Sequence, residues 1–178
     1  MNMKIEPYFQ QLYDVPVIAD SSYSVLNRRD FYVENALVNR GKGRNIGVDI
    51  TLERYLNKGL YYMVTASIFD SKYYGGDRKW RNTLYNRNFI INVLGGKEWM
   101  VGRDKQNMFS VNFKITLQGG DRYAPVDEVA TLLDPDREVQ YDETKAFSKQ
   151  FSPMFITNFS VGYKINRKKV SHEFSSSP

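Results

Sequence analysis

Cysteine is absent from all 178 residues, which excludes a disulfide framework and any thiolate metal site. Histidine occurs once, at His172, so neither a multi-imidazole metal site nor a Ser/His/Asp group can be assembled. No metal, cofactor or enzymatic role is therefore expected. Nor does any run reach the ~18 consecutive apolar residues of a membrane-spanning helix. That absence leaves a transmembrane β-barrel open, because its strands are about half polar by construction. The opening residues, Met1-Asn2-Met3-Lys4-Ile5-Glu6-Pro7, hold neither an apolar core segment nor a cleavage site of the secretory kind. For an exported barrel the expectation is then a natural N-terminus further upstream, the chain being a piece of a longer one. Helical periodicity is missing too.

Aromatic residues are plentiful: 13 Tyr and 11 Phe lift their share to 15%, a composition that fits a pleated surface. The net charge of +5 is spread over scattered charges of both signs. Its densest basic run, Arg167-Lys168-Lys169, follows Asn166 in an expected turn, and no basic stripe or recognition motif accompanies it. A nucleic-acid partner is not expected.

The clearest pattern is alternation with period two, which sends successive side chains to opposite faces of a strand. In 44–56, Ile46, Val48, Ile50 and Leu52 interleave with Asn45, Gly47, Asp49, Thr51 and Glu53. A turn at Asn57-Lys58-Gly59 leads into 60–72, where Leu60, Tyr62, Val64, Ala66 and Ile68 share a face and Phe69 breaks the opposite one. The segment 86–101 alternates less cleanly, blurred by Ile90 and Leu94. In 108–118, Phe109, Val111, Phe113, Ile115 and Leu117 oppose Ser110, Asn112, Lys114, Thr116 and Gln118. In 153–165, Phe155, Thr157, Phe159, Val161 and Tyr163 oppose Asn158, Ser160, Gly162 and Lys164. Residues 2–13 form a weaker strand interrupted by Pro7, and 170–175 begin another, so about six complete strands and part of a further one are expected in one unit over 1–178.

Connections alternate strictly between long (14–43, 73–85, 119–152) and short (57–59, 102–107, 166–169). That is the meander of an outer-membrane barrel, with short periplasmic turns and long outer loops. A strand of about 11 residues, rising ~3.3 Å each and tilted ~40°, spans roughly 28 Å, close to the lipid-facing band. Tyr61, Tyr62, Trp99, Met100, Phe155 and Tyr163 lie near strand ends, where aromatic girdles belong. Alternation alone fits two further readings: a soluble β-sandwich that binds carbohydrate, and a structural β-domain assembling through its strand edges.

The strand-end and loop motifs add to this. Pro7-Tyr8-Phe9-Gln10-Gln11-Leu12-Tyr13-Asp14-Val15-Pro16-Val17 is followed by Gly41-Lys42-Gly43-Arg44-Asn45-Ile46-Gly47-Val48-Asp49 and Leu52-Glu53-Arg54-Tyr55-Leu56. Then come Trp80-Arg81-Asn82-Thr83, Tyr85-Asn86-Arg87-Asn88, Asn92-Val93-Leu94-Gly95-Gly96-Lys97-Glu98-Trp99 and Gly119-Gly120-Asp121-Arg122-Tyr123-Ala124-Pro125-Val126-Asp127. In order and spacing, from about Lys4 to Ile165, the chain resembles the C-terminal barrel region of SusC-like TonB-dependent receptors of Bacteroidetes. The resemblance implies part of a 22-stranded outer-membrane barrel that takes up glycans or peptides, with a plug domain, TonB and a surface lipoprotein as partners. The chain departs from the family in carrying no plug and no TonB-contacting segment, and in ending at Phe174-Ser175-Ser176-Ser177-Pro178 where the family runs on to a terminal aromatic. Alone, it is not expected to transport, and self-association of its open edges is an alternative outcome.

The resemblance makes Ile46, Val48, Ile50, Leu52, Phe109, Val111, Phe113, Ile115, Phe159 and Val161 the expected contacts with membrane lipid. Two repeats, Gly75-Gly76-Asp77-Arg78 and Gly119-Gly120-Asp121-Arg122, invite comparison with substrate loops, making Asp77, Arg78, Trp80, Asp121, Arg122 and Tyr123 candidate contacts. The plainer reading is that glycine shapes a turn which Asp and Arg then stabilise. Asp134-Pro135-Asp136-Arg137-Glu138 lacks the glycine and spacing of a calcium loop and reads as a solvated turn. Asp49 and Glu53, two steps apart on one polar face, read as lumen lining rather than an acid/base pair.

Overall fold

The computed structural model describes residues 1–27, 33, 35–136, 138–167 and 170–176. Lys168 and Lys169 of the basic run and Arg137 of the acidic turn lie outside them. The alternating segments form strands β1 (Asn2–Ile18), β2 (Leu37–Asn57), β3 (Leu60–Tyr74), β4 (Trp80–Asn82), β5 (Phe89–Val101) and β6 (Asn107–Gln118). They continue as β7 (Arg122–Tyr123), helix α1 (Glu128–Leu133), β8 (Lys149–Gln150), β9 (Met154–Asn166) and β10 (Ser171–Ser176). The main sheet is an antiparallel meander in the order β1-β2-β3-β5-β6-β9-β10, with β4 continuing beside the far end of β3. A two-stranded ribbon of β7 and β8 stands apart. Among the described residues the fold is all-β, and its main sheet does not close on itself.

Register explains why the alternation was readable. Ile50 lies beside Ile5 and Ala66; the same row continues through Ile91, Leu117 and Phe155. Phe113 lies beside Gly95 and Phe159, and Val111 beside Lys97 and Val161. With side chains alternating along every strand, these rows gather Ile46, Val48, Ile50, Leu52, Phe109, Val111, Phe113, Ile115, Phe159 and Val161 on one face. Tyr62, Trp99, Phe155 and Tyr163 share it, whereas Tyr61 and Met100 fall on the other. His172 sits in β10 beside Ile165.

The opposite face is stitched by side-chain hydrogen bonds running across the strands. Thr83 Oγ1 donates to Ser71 Oγ (2.9 Å), Ser71 to Asn45 Oδ1 (2.6 Å), and Asn45 Nδ2 to Gln10 Oε1 (2.8 Å). Thr116 donates to Asn92 (2.8 Å) and Asn92 to Thr65 (3.3 Å). Tyr61 Oη reaches over β5 to Asn112 Oδ1 (2.8 Å), and Asn112 donates onward to Ser160 (3.3 Å). Gly96 permits that reach: a Cβ there would stand 2.3 Å from Asn112 Oδ1 and 2.7 Å from the Tyr61 ring. Asp49 accepts from Ser67 (2.6 Å) and Glu53 from Asn2 (3.0 Å), so both carboxylates serve this stitching.

Neither face covers a core. Phe9, Phe155 and Phe174 are 64%, 64% and 62% exposed. Apart from glycines, the side chains buried among the described residues are Val15, Val17, Ser24, Tyr73, Arg81, Thr83, Leu84, Asn86 and Ala146. All belong to the end of the sheet where the long connections gather. Those connections are the main departure from expectation. β1 and β2 run further than the alternation indicated, to Ile18 and from Leu37, because their far ends pair as a two-stranded ladder with bulges near Val15. The connection between β6 and β9 contains α1, whose six residues are too few to show a period and whose first turn is capped by the Asp127 side chain on Ala130 N–H (3.0 Å). Asp134 organises the next turn by accepting from the N–H groups of Asp136 and Glu138 (2.9 and 3.2 Å).

Strand ends are staggered. The row through Leu60, at the tip of the β2–β3 hairpin, passes Lys97, Val111 and Val161. β5 continues beyond it to Val101 and β9 to Asn166, which pairs with Ser171 at the β9–β10 tip. The sheet is a parallelogram rather than a rectangle.

Candidate functional site

The cap over the long-connection end of the sheet is built around two arginines, each held by an aspartate. Gly75-Gly76-Asp77-Arg78 turns the chain after β3, with Arg78 in the left-handed region (φ 63) donating its N–H to Gly75 O at 3.1 Å. A Cβ on Gly76 would sit 1.9 Å from Ile18 O, so glycine is what lets this turn lie against the end of β1. Asp77 does not pair with its neighbour Arg78. It takes both ends of the Arg81 fork, Nη1 at 2.8 Å and Nη2 at 2.5 Å, in a pair whose side chains are 6% (Arg81) and 19% (Asp77) exposed. Hydrogen bonding from Arg81 holds the Asp77 carboxyl below its ordinary range, and the same contact raises Arg81. The second repeat follows suit: Asp121 accepts from Arg87 Nε (2.7 Å), whose Nη1 also reaches Gln118 (2.9 Å).

Arg122 is spent on the backbone and on Asn88. Its Nε donates to Asn86 O (2.9 Å) and its Nη2 to Asn88 Oδ1 (2.8 Å), while burial pulls its pKa down. Tyr123 stacks on Phe151 with ring centroids 4.4 Å apart, joining the β7–β8 ribbon. Between this ribbon and the connection following β1 opens a cleft of about 780 Å³. Its walls include Arg122, Tyr123, Phe151, Phe147, Tyr141, Tyr23, Asn27 and Glu143. Asn27 accepts from Leu84 N–H at 2.8 Å, while its Nδ2 has no protein partner. Glu143 accepts from Ser21 at 3.3 Å.

Of the six residues expected to meet substrate, the cleft gathers Arg122 and Tyr123. Asp77 and Asp121 are committed to arginines, and Arg78 lies exposed on its turn. Trp80 belongs to the sheet's apolar side instead, where it packs on Tyr74 at 5.5 Å and lies 5.6 Å beneath the Arg44 guanidinium. Tyr23, Tyr141, Phe147 and Phe151 were missed by sequence reasoning, although four aromatics at 123, 141, 147 and 151 in one connection were a usable signal. Aromatic faces beside one cation, one carboxylate and neutral amides suit reversible holding of a polar organic molecule. Among the described residues no group of three or more His, Asp or Glu could hold a metal ion.

A scan of protein-family models and searches of curated proteins and of solved structures find no match to this chain.

Proposed function

We propose that this chain is a sector of an outer-membrane β-barrel wall together with its outer loop cap, from a nutrient-uptake receptor of the SusC-like, TonB-dependent kind. The observation that carries the proposal is an apolar face continuous over seven strands, backed by a hydrogen-bonded polar face, with no core beneath either. Six strand spacings of ~4.8 Å and a band of ~25 Å make that face roughly 700 Å². Exposed apolar patches on monomeric soluble proteins rarely exceed a few hundred Å². Lipid is the solvent that such a face fits.

Two lengths support the same reading. The tips of the β2–β3 and β9–β10 hairpins are four strand spacings apart and offset by five residues, from Val161 to Asn166. If both tips meet one membrane plane, the strands tilt by about 40°, the angle of a closed barrel wall. On the apolar face of β2, charge stands at Arg44 and Arg54, with Ile46, Val48, Ile50 and Leu52 between. Ten residues at ~3.3 Å, tilted by ~40°, rise about 25 Å, the height of a lipid-facing belt. The bare outer edges of β1 and β10 are then where the rest of the wall pairs, and the polar face borders the lumen and its plug. Glycan or peptide as cargo, a surface lipoprotein and TonB as partners, and a binding rather than catalytic role follow from the resemblance.

The cysteine-free chain allows a direct test. Single cysteines replace Val111 or Asn112 in protein inserted into membranes, and a water-soluble maleimide is added. Labelling is expected at position 112 and suppressed at 111 until detergent is supplied. Equal labelling at both positions in intact membranes would sink the proposal.

A further inference from the structure

The apolar face does not end abruptly at the long-connection side. Lys42 and Arg44 of β2 and Lys72 of β3 all fall on this face, just beyond Ile46 and Ile68, with Arg44 directly beside Lys72 in the ladder. Like charges placed directly opposite across strands are destabilising and call for a counter-charge. The structure supplies one: Asp70 lies 3.3 Å from Lys72 and also accepts from Asn86 (2.9 Å). Among the described residues neither Lys42 nor Arg44 has an acidic partner, and Arg44 Nε lacks any hydrogen bond. Trp80, 45% exposed, lies under the Arg44 guanidinium at 5.6 Å and against Tyr74, so the cation is held in place rather than left to swing. Three cations with one carboxylate, a flat aromatic floor, and a greasy band immediately below make a fixed order of chemistries.

We propose that Lys42, Arg44 and Lys72, with Trp80 as floor, bind the phosphate of an anionic lipid headgroup whose acyl chains lie along Ile46 and Ile68. This rests on the apolar face being the lipid-facing one. A guanidinium offers paired donors to a phosphate and an ammonium adds a point charge, while tryptophan settles at the level of headgroups. The occupant is a lipid rather than a free ion because the cations border the apolar band, where a headgroup arrives already tethered.

The chain's two tryptophans provide probe and control. In W99F, Trp80 alone emits; in W80F, Trp99 alone does, on the same face at the short-turn end. Each variant is placed in phosphatidylcholine vesicles containing equal minor shares of brominated phosphatidylglycerol or brominated phosphatidylcholine. Trp80 quenching is expected to favour the anionic lipid about fivefold, the factor that ~1 kcal/mol for one cation at an anionic surface represents. Trp99, with Lys58 and Lys97 beside it but Glu98 as well, is expected to show a smaller preference than Trp80. K42Q/K72Q leaves the Arg44–Trp80 contact in place and is expected to lower the Trp80 preference at least about twofold. Equal quenching of Trp80 by both lipids, or the same preference at Trp99, overturns the proposal while leaving the membrane reading intact. No quenching of either tryptophan by any lipid overturns the membrane reading itself. Persistence of the preference in excess inorganic phosphate, against chloride of equal ionic strength, supports the lipid as the source; its loss there overturns that in favour of a free-anion site.

Discussion

A single guanidinium decides whether the cap holds together. Arg81 is buried against Tyr73, and its charge is tolerated there because Asp77 meets it through two parallel hydrogen bonds. Replacing Asp77 by Asn leaves that cation without its counter-ion. The expected cost is about 3 kcal/mol of local stability, read as faster hydrogen exchange at Thr83 N–H, which donates to Ser71 O across the same strands. Gly96 is a second single-residue dependence, of the opposite kind. Ala there places a methyl in the path of the Tyr61–Asn112 hydrogen bond, and about 1–3 kcal/mol of overpacking is expected. The measurement is the denaturation midpoint of G96A beside that of the unsubstituted chain. Neither dependence was readable from the sequence. The repeats suggested that Asp77 and Asp121 would stabilise their own turns with the adjacent arginine, yet Asp77 takes Arg81, four residues on, and Asp121 takes Arg87, which only folding brings near.

At the scale of elements, strands and connections respond to different physics. Period two is a local property, so β3, β6 and β9 could be placed from sequence within a few residues, and β2 at its short-turn end. β5 was harder because Ile90 and Leu94 point to the polar face, beside Ser67 and Met63. The long connections owe their order to caps and ion pairs, some local (Asp127 on Ala130, Asp77 with Arg81) and some between distant residues (Arg87 with Asp121), and no period announces those. That difference predicts a separable transition in acid. Hydrogen bonds from Thr144, with Lys145, hold Asp142 at about 2, and Arg81 lowers Asp77 likewise. A carboxylate with a lowered folded pKa stabilises fully above its ordinary range near 4 and loses that contribution as pH falls through the folded value. Between pH ~4 and ~2, therefore, the cap is expected to loosen while the strand signal persists. Tyrosine exposure measured beside amide circular dichroism checks this; simultaneous loss of both signals contradicts it.

For the whole molecule, the two faces of one sheet differ most in what they refuse. Ile115→Arg puts a charge amid the apolar rows between Val93 and Thr157, well inside the hairpin tips, whereas Thr116→Arg adds one to a face already bonded to polar groups. In bilayers the first is expected to cost about 2–4 kcal/mol and the second under about 1 kcal/mol, measured by urea titration of membrane-inserted protein. Side-chain chemistry does not fix the angle at which the wall stands; the register does. On the proposed membrane reading, with both tips in one membrane plane, their offset of five residues over four spacings corresponds to strands about 40° from the membrane normal. Polarised infrared absorption of oriented bilayers reads that angle from the amide I band. A dichroic ratio corresponding to 35–45° is expected for a barrel wall. Strands parallel to the bilayer plane would instead mean a sheet lying on the surface with its apolar side down, a geometry in which the staggered hairpin tips have no common plane to meet.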